Sequence, residues 1–283
     1  MGEWFVRHFA SAGFTTVLSD KRLGEANAVA EAYGAASIHT NREAVTGADL
    51  VLVSVPIRAI RDVVLDIAPH MREGAVLAEI SSLKLPTVDA MRRASEHGIV
   101  PLSIHPLFGP AARTLRGQSV VVVPVVDGEA ELKVARRWFG EGEIISSEAQ
   151  VHDRVMSLVL SLPYMMNMVF AKVLQEDDLC LLKKMSGTTF TVQLALAESV
   201  VGEEPQLVES LLKENPFTQP CLDQFLSESR RLRDVLNGSL EEFSEYMGSL
   251  VDSLMRDPDY HDADERRYRA FTALKGGPQR QPG

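Results

Sequence analysis

The chain has 283 residues, 45% hydrophobic and 24% charged, enough for one large or two medium domains with a sizeable core. A formal net charge of -10 argues against nucleic acid or an anionic membrane surface as a partner. Two isolated cysteines, Cys180 and Cys221, are too few for a disulfide framework or a zinc site, so a reducing cytoplasmic setting and no metal are expected.

The N-terminus lacks the basic-then-apolar layout of a signal peptide, and no apolar run is read as approaching the roughly 20 residues that span a bilayer. The first half alternates short β-branched runs with helical spacing. Strands are expected over 15–20, 50–55, 75–80, 100–104 and 119–125, and helices over 3–12, 23–33, 57–71, 86–97 and 129–139. Strands alternating with helices of that length specify a parallel sheet covered on both faces.

The front edge of that sheet is unusual. Such folds open with a strand and a glycine-rich turn whose amides hold a pyrophosphate. Here Met1-Gly2-Glu3 passes directly into helix. The next strand ends in Asp20, near the spacing of about 20 residues at which an acid takes the ribose hydroxyls of a dinucleotide. Gly2 is therefore read as the last glycine of a fingerprint whose first strand and first glycines are absent. Arg22 follows Asp20 closely enough to soften repulsion of a 2′-phosphate, so NAD is expected with NADP left open.

Three further strand ends point to one crevice, because carboxyl-end loops of a parallel sheet share an edge. Ser54-Val55-Pro56 is suited to the approach of a flat ring. The run Ser81 to Lys84 offers two hydroxyls and a cation, with an N-cap as the plainer use of either serine. His105 stands at the end of an apolar strand and is followed by Pro106, Gly109 and Pro110, which stop strand pairing and shape a loop. A histidine there is suited to proton transfer.

From about residue 147 the strand signals stop. Helices are expected over 151–174, 179–201, 205–213, 220–236 and 240–255, with Pro163 marking a kink in the first. That first helix is apolar on too many sides for an exposed one, and Met156, Met165, Met166 and Met168 read as packing or subunit-interface residues. The expected division is a dinucleotide-binding domain over 1–146, a helical domain over 147–256, to which the resemblance given below assigns substrate binding and dimerisation, and a polar tail over 257–283. In that tail a short helix over 263–274 precedes disorder.

Several of these pieces carry a resemblance. Met-Gly-Glu-Trp-Phe at 1–5, Ser-Asp-Lys-Arg at 19–22, Ser-Val-Pro at 54–56, Ser-Ser-Leu-Lys at 81–84 and above all His-Pro-Leu-Phe-Gly-Pro at 105–110 resemble the prephenate dehydrogenase family of tyrosine biosynthesis. The likeness continues through Ser-Gly-Thr-Thr-Phe at 186–190 and Glu-Asn-Pro-Phe at 214–217. It implies a Rossmann-like domain followed by a helical dimerisation domain, with substrate held between them. The implied reaction is oxidative decarboxylation of prephenate to 4-hydroxyphenylpyruvate with a nicotinamide cofactor. His105 matches the family's catalytic histidine and Ser82 the serine near the hydroxyl and nicotinamide. Gly2, Asp20, Arg22, Ser54 and Pro56 are the expected cofactor contacts.

Two departures leave the substrate open between prephenate and arogenate. Where some members carry a carboxylate-binding arginine, this chain has Phe190-Thr191-Val192-Gln193-Leu194, leaving Gln193, Lys183, Lys184, Arg230 or Arg231 as substitutes, and where some carry a histidine pair it has Ser161-Leu162-Pro163-Tyr164. Lys84, Gln193 and Tyr164 are therefore the expected substrate contacts. The competing readings are a related two-domain hydroxyacid dehydrogenase and a non-catalytic metabolite-binding dimer that has lost its cofactor.

Overall fold

A computed structural model describes residues 1–276, and the disorder expected at the end of the tail lies outside the described residues. The chain divides into two compact units, residues 1–157 with 209–216, and residues 158–208 with 217 onward.

The first unit begins with α1 (Gly2–Ser11), β1 (Val17–Leu18), α2 (Leu23–Tyr33), β2 (Ala36–Ser37) and α3 (Asn41–Val45). Gly34, at φ +68°, closes α2 in the left-handed conformation that glycine adopts without a Cβ penalty. The chain continues as β3 (Leu50–Val53), α4 (Ile57–Ile67), β4 (Val76–Glu79), α5 (Leu85–Ser95), β5 (Val100–Pro106), β6 (Ser119–Val123), α6 (Gly128–Phe139), β7 (Glu143–Ser146) and α7 (Ala149–Met156). Strands β1 and β2 form a parallel pair, and β3 to β7 form a five-stranded sheet in sequential order. Strand β1 does not pair with β3.

Alternation along the strands sends side chains to opposite faces. Leu77 of β4 joins Ile60, Val64 and Ile67 of α4 and Met91 of α5 in one core cluster. Its neighbours Val76 and Ala78 join Trp4 and Phe5 of α1, Ile104 of β5 and Phe139 of α6 in the other. The expectation of two covered faces holds. One pairing differs from the all-parallel expectation: β5 and β6 run antiparallel, with Ser103 opposite Val123 and His105 opposite Val121. The connection over 107–118 contains no helix, so no crossover unit returns the chain in parallel.

The compact units divide a little past the expected domain boundary, at Ser157. Helix α7 packs against α5, which carries the first unit on to Ser157. Past α7 the chain makes a wide π turn over Ser157–Ser161 and continues as α8 (Leu162–Val173). Pro163, at the start of α8, has no N–H for the preceding turn, so the irregularity appears just ahead of it.

The second unit adds α9 (Leu179–Met185), α10 (Thr188–Val201), the start of α11 (Pro205–Lys213, which passes into the first unit at Glu209), α12 (Thr218–Leu236), α13 (Leu240–Leu254) and α14 (Ala263–Gly276). The expected single helix over 179–201 is broken at Ser186-Gly187. Helices α8 and α10 pack together, with α12 against α8 and α14 against α10.

The segment Ala149–Val173 corrects the expectation about apolar runs: its 25 residues, at a mean hydropathy of 1.4, are long and apolar enough to cross a membrane by length and composition. His152, Asp153 and Arg154 interrupt its start and hide it from a search for unbroken apolar residues. His152 and Asp153 at its start are buried in the first unit, while most of its apolar window is not buried.

Candidate active site

Glu79 ends β4, a strand buried at every position. A carboxylate there needs partners, and it has four. It accepts from Lys84 Nζ at 2.8 Å, Thr87 Oγ1 at 3.1 Å, Ser103 Oγ at 2.5 Å and the Ser81 amide at 2.8 Å. Lys84 is fully buried, and its ammonium also donates to the carbonyl of Ile104, the residue before His105. Burial lowers the Lys84 ammonium from its ordinary value, and Glu79 acts against that shift. Lys84, expected as a substrate contact, thus sits beneath the surface with its donors engaged by protein.

No side chain of its own loop caps α5; Asp153 of α7 does so instead. Its Oδ1 accepts the Lys84 amide and its Oδ2 the Leu85 amide, both at 2.9 Å. Oδ1 also lies 2.7 Å from His152 Nδ1, and His152 Nε2 lies 3.0 Å from His105 Nδ1. The network sets the tautomers. An ionised Asp153 only accepts, so His152 donates through Nδ1 and, when neutral, accepts at Nε2. His105 then donates through Nδ1, which leaves a lone pair on its Nε2. Burial pushes the His105 imidazole well below its ordinary value, and the charges of Lys84 and His152 push the same way. The outcome is a neutral imidazole at the carboxyl end of β5, with its base nitrogen selected by a buried chain of three residues.

Lys84 reaches the Ile104 carbonyl next to His105, and Ser82 lies half-buried in the loop between β4 and α5. Gly2 and Ser54 also meet: a Cβ on Gly2 would lie 3.4 Å from Ser54 Oγ. The α1 N-terminus has no side-chain cap, and Pro56 occupies the N-cap of α4. Asp20 lies just past β1, accepting the Arg22 amide at 2.8 Å, while Arg22 also pairs with Glu25 at 2.9 Å. These groups fit a dinucleotide: uncapped amides for its diphosphate, a carboxylate for a ribose and a glycine permitting close approach.

The two remaining expected residues lie in the helical unit. Tyr164 donates to Glu203 at 2.7 Å, and burial followed by that bond raises its hydroxyl well above the ordinary value. Gln193 donates to Asn167 at 2.8 Å, and Asn167 in turn to the Pro163 carbonyl. Sequence reasoning missed His152, Asp153 and Glu79. Their signal was an acid inside an apolar strand and an adjacent His-Asp pair opening an otherwise apolar helix.

Comparison with known proteins bears on the family and the fold. Residues 9–143 match the model of the prephenate dehydrogenase nucleotide-binding domain, and residues 148–249 that of the prephenate dehydrogenase dimerization domain. A probable arogenate/prephenate dehydrogenase of Methanocaldococcus jannaschii is 25% identical over 253 residues, which span 86% of this chain and 56% of that protein. The cyclohexadienyl dehydrogenase of Zymomonas mobilis is 26% identical over 225 residues, 72% of this chain and 75% of that one. The crystal structure of prephenate dehydrogenase from Aquifex aeolicus with hydroxyphenyl propionate and NAD+ superposes with a TM-score of 0.73 at 19% identity. That match covers 90% of this chain and 94% of the other, a likeness of fold.

Proposed function

The chain belongs to the prephenate dehydrogenase family, and from that premise we propose that it oxidatively decarboxylates a cyclohexadienyl acid of the prephenate type in tyrosine biosynthesis. The observation that carries this reading is the buried Asp153–His152–His105 chain, which presents a neutral base. Prephenate is the substrate we favour, with 4-hydroxyphenylpyruvate as product; arogenate is the alternative that the name of the Methanocaldococcus relative also carries.

His105 Nε2 takes the proton of the ring hydroxyl at C4, and the hydroxyl oxygen becomes a carbonyl as hydride leaves that carbon. A bound nicotinamide supplies the acceptor for that hydride. The C1 carboxylate then leaves as carbon dioxide, and its bonding pair completes the aromatic ring and returns charge to the C4 oxygen. His105 gives the proton back to that oxygen, so no net proton is consumed. While His105 is cationic, His152 and the Asp153 carboxylate spread and stabilise its charge. Ser82 orients the reacting hydroxyl. Gly2, Ser54, Pro56, Asp20 and Arg22 hold the cofactor, for which we favour NAD over NADP. Tyr164 and Gln193 are proposed substrate contacts, and Lys84 is reassigned to holding Glu79 and the Ile104 carbonyl.

We assign a homodimer to the helical unit, where Leu158, Val159, Met166, Val169 and Val173 are exposed. The substrate is a small diffusible acid, and we place the reaction in the cytoplasm. The test is cofactor reduction by purified protein with prephenate and with arogenate. Turnover of at least one is expected, and His105→Asn lowers kcat by at least about a hundredfold with little change in KM. Full activity of His105→Asn overturns the assignment of the base.

A further inference from the structure

The segment Glu209–Pro216 clusters with the first unit although the sequence on either side of it clusters with the second. Pro216 biases the preceding Asn215 toward an extended backbone, and α11 ends at Lys213. Asn215 is 2% exposed, and its Nδ2 donates to the main-chain carbonyl of Asp153 at 2.8 Å. The segment is anchored beside it: Arg58, in the first turn of α4, pairs with Glu214 at 2.6 Å and Glu209 at 3.4 Å.

The bond falls at a sensitive place. Helix α7 has eight residues and no side-chain cap, and it runs straight into the π turn at 157. A short helix with an irregular end has little rigidity of its own. Side chains secure its last turn: Ser157 Oγ donates to the Arg154 carbonyl at 2.7 Å, and Asn215 to that of Asp153. Asp153 is thereby held at both ends, its carboxylate by the α5 amides and its carbonyl by Asn215.

We propose that Asn215 is a positioning residue that fixes Asp153 and His152, and through them the tautomer of His105. This rests on the reading of His105 as the base. Asn215 acts on the main chain that carries the relay, through its bond to the Asp153 carbonyl. The Arg58–Glu214 pair keeps its carboxamide in register and ties the relay to the helix that follows the Ser54–Pro56 loop. A displacement of about an ångström in such a support costs on the order of a hundredfold in rate.

The experiment compares wild type, Asn215→Ala and Asn215→Asp, the last keeping the volume while replacing the donor by a carboxylate oxygen. Two readouts are taken: kcat and KM with the turned-over substrate, and long-range proton–nitrogen NMR of the histidine rings. Both variants are expected to lower kcat by about tenfold to a hundredfold with KM within about threefold. Both should also replace the fixed Nδ1–H tautomers of His105 and His152 by averaged signals. Wild-type ring signals and kcat in folded Asn215→Asp overturn the proposal, as does a loss confined to KM. If Asn215→Ala fails to fold, Asn215→Asp alone decides. A failure of the base assignment shows separately, as an active His105→Asn, while the ring signals still decide whether Asn215 fixes the tautomers.

Discussion

The two units of this molecule use their interiors in opposite ways. The α/β unit buries apolar side chains on both faces of its sheet and then buries Glu79, Lys84, Ser103, His105, His152 and Asp153 as well, each with a partner. The helical unit buries few large apolar residues and leaves Val169 54%, Val173 70% and Met185 80% exposed. In the first unit the fold is complete enough to support charged groups in a dry setting, where electrostatic effects are strong and geometry is fixed. In the second, apolar surface is left over for another protein surface to cover. Buried charge and exposed apolar surface are thus divided between the units, and each can be altered separately.

The largest effect is expected from Lys84→Met. It strips the fully buried Glu79 of its cationic partner, and breaking a buried pair in this way costs about 3–5 kcal/mol. The double variant Lys84→Met with Glu79→Gln should recover much of that loss, because a neutral buried pair carries no stranded charge. The pH profile gives a second readout. The Lys84 charge helps hold the His105 imidazole low, after burial as the larger cause. With His105 as the proposed base, only its neutral form accepts the proton, so activity is expected to rise with pH through the His105 titration and to stay flat above it. Removing the ammonium raises that titration point, and the acid limb of kcat/KM moves to higher pH. An unmoved limb with unchanged melting would show that the buried pair supports neither fold nor base.

A smaller effect is expected from Val169→Glu on the exposed face of α8. If that face seats a second copy, a buried unpaired carboxylate weakens association on the order of a hundredfold. Sedimentation should show monomer at concentrations where wild type is dimeric, while the melting of the α/β unit is unchanged. A dimer that survives the substitution moves the interface elsewhere on the helical unit.

Much of this division is legible in the sequence, and the parts that are not have physical reasons. Helices α1, α2, α6 and α11 follow from spacing and caps within a residue or two. Strand β2 has two residues, and β7 is largely exposed and carries Glu143, so neither shows an apolar run. The antiparallel course of β6 is invisible because alternation carries no direction. His105 is legible from the prolines and glycine around it. Its relay is not: His152 lies 47 positions away in sequence, and only tertiary packing reveals the bond. The same holds for Asp153, which looks like a charge on a helix and is the cap of another one.

The smallest expected effect concerns the rim of the α/β unit, where the comparison is between buried and exposed charge. Asp20 and Arg22 pair at 3.5 Å with side chains 42% and 61% exposed, so solvent screens them and their pairing adds little to stability. Their consequence is for selectivity. In the proposed site the Asp20 carboxylate, just past β1, would bond ribose hydroxyls and repel a 2′-phosphate, whereas Arg22 would attract one but is shared with Glu25. Wild type should therefore prefer NAD, and Asp20→Ala should lower kcat/KM for NAD about tenfold, a change of ~1.4 kcal/mol. The same variant should gain with NADP, because Arg22 loses one of its two carboxylates. Raising the salt concentration should shrink the discrimination, since these charges face water. Steady-state kinetics with both cofactors decide the matter. A wild-type advantage for NADP would mean that Arg22, despite Glu25, governs the pocket, and that Asp20 serves to hold the arginine rather than to meet the ribose.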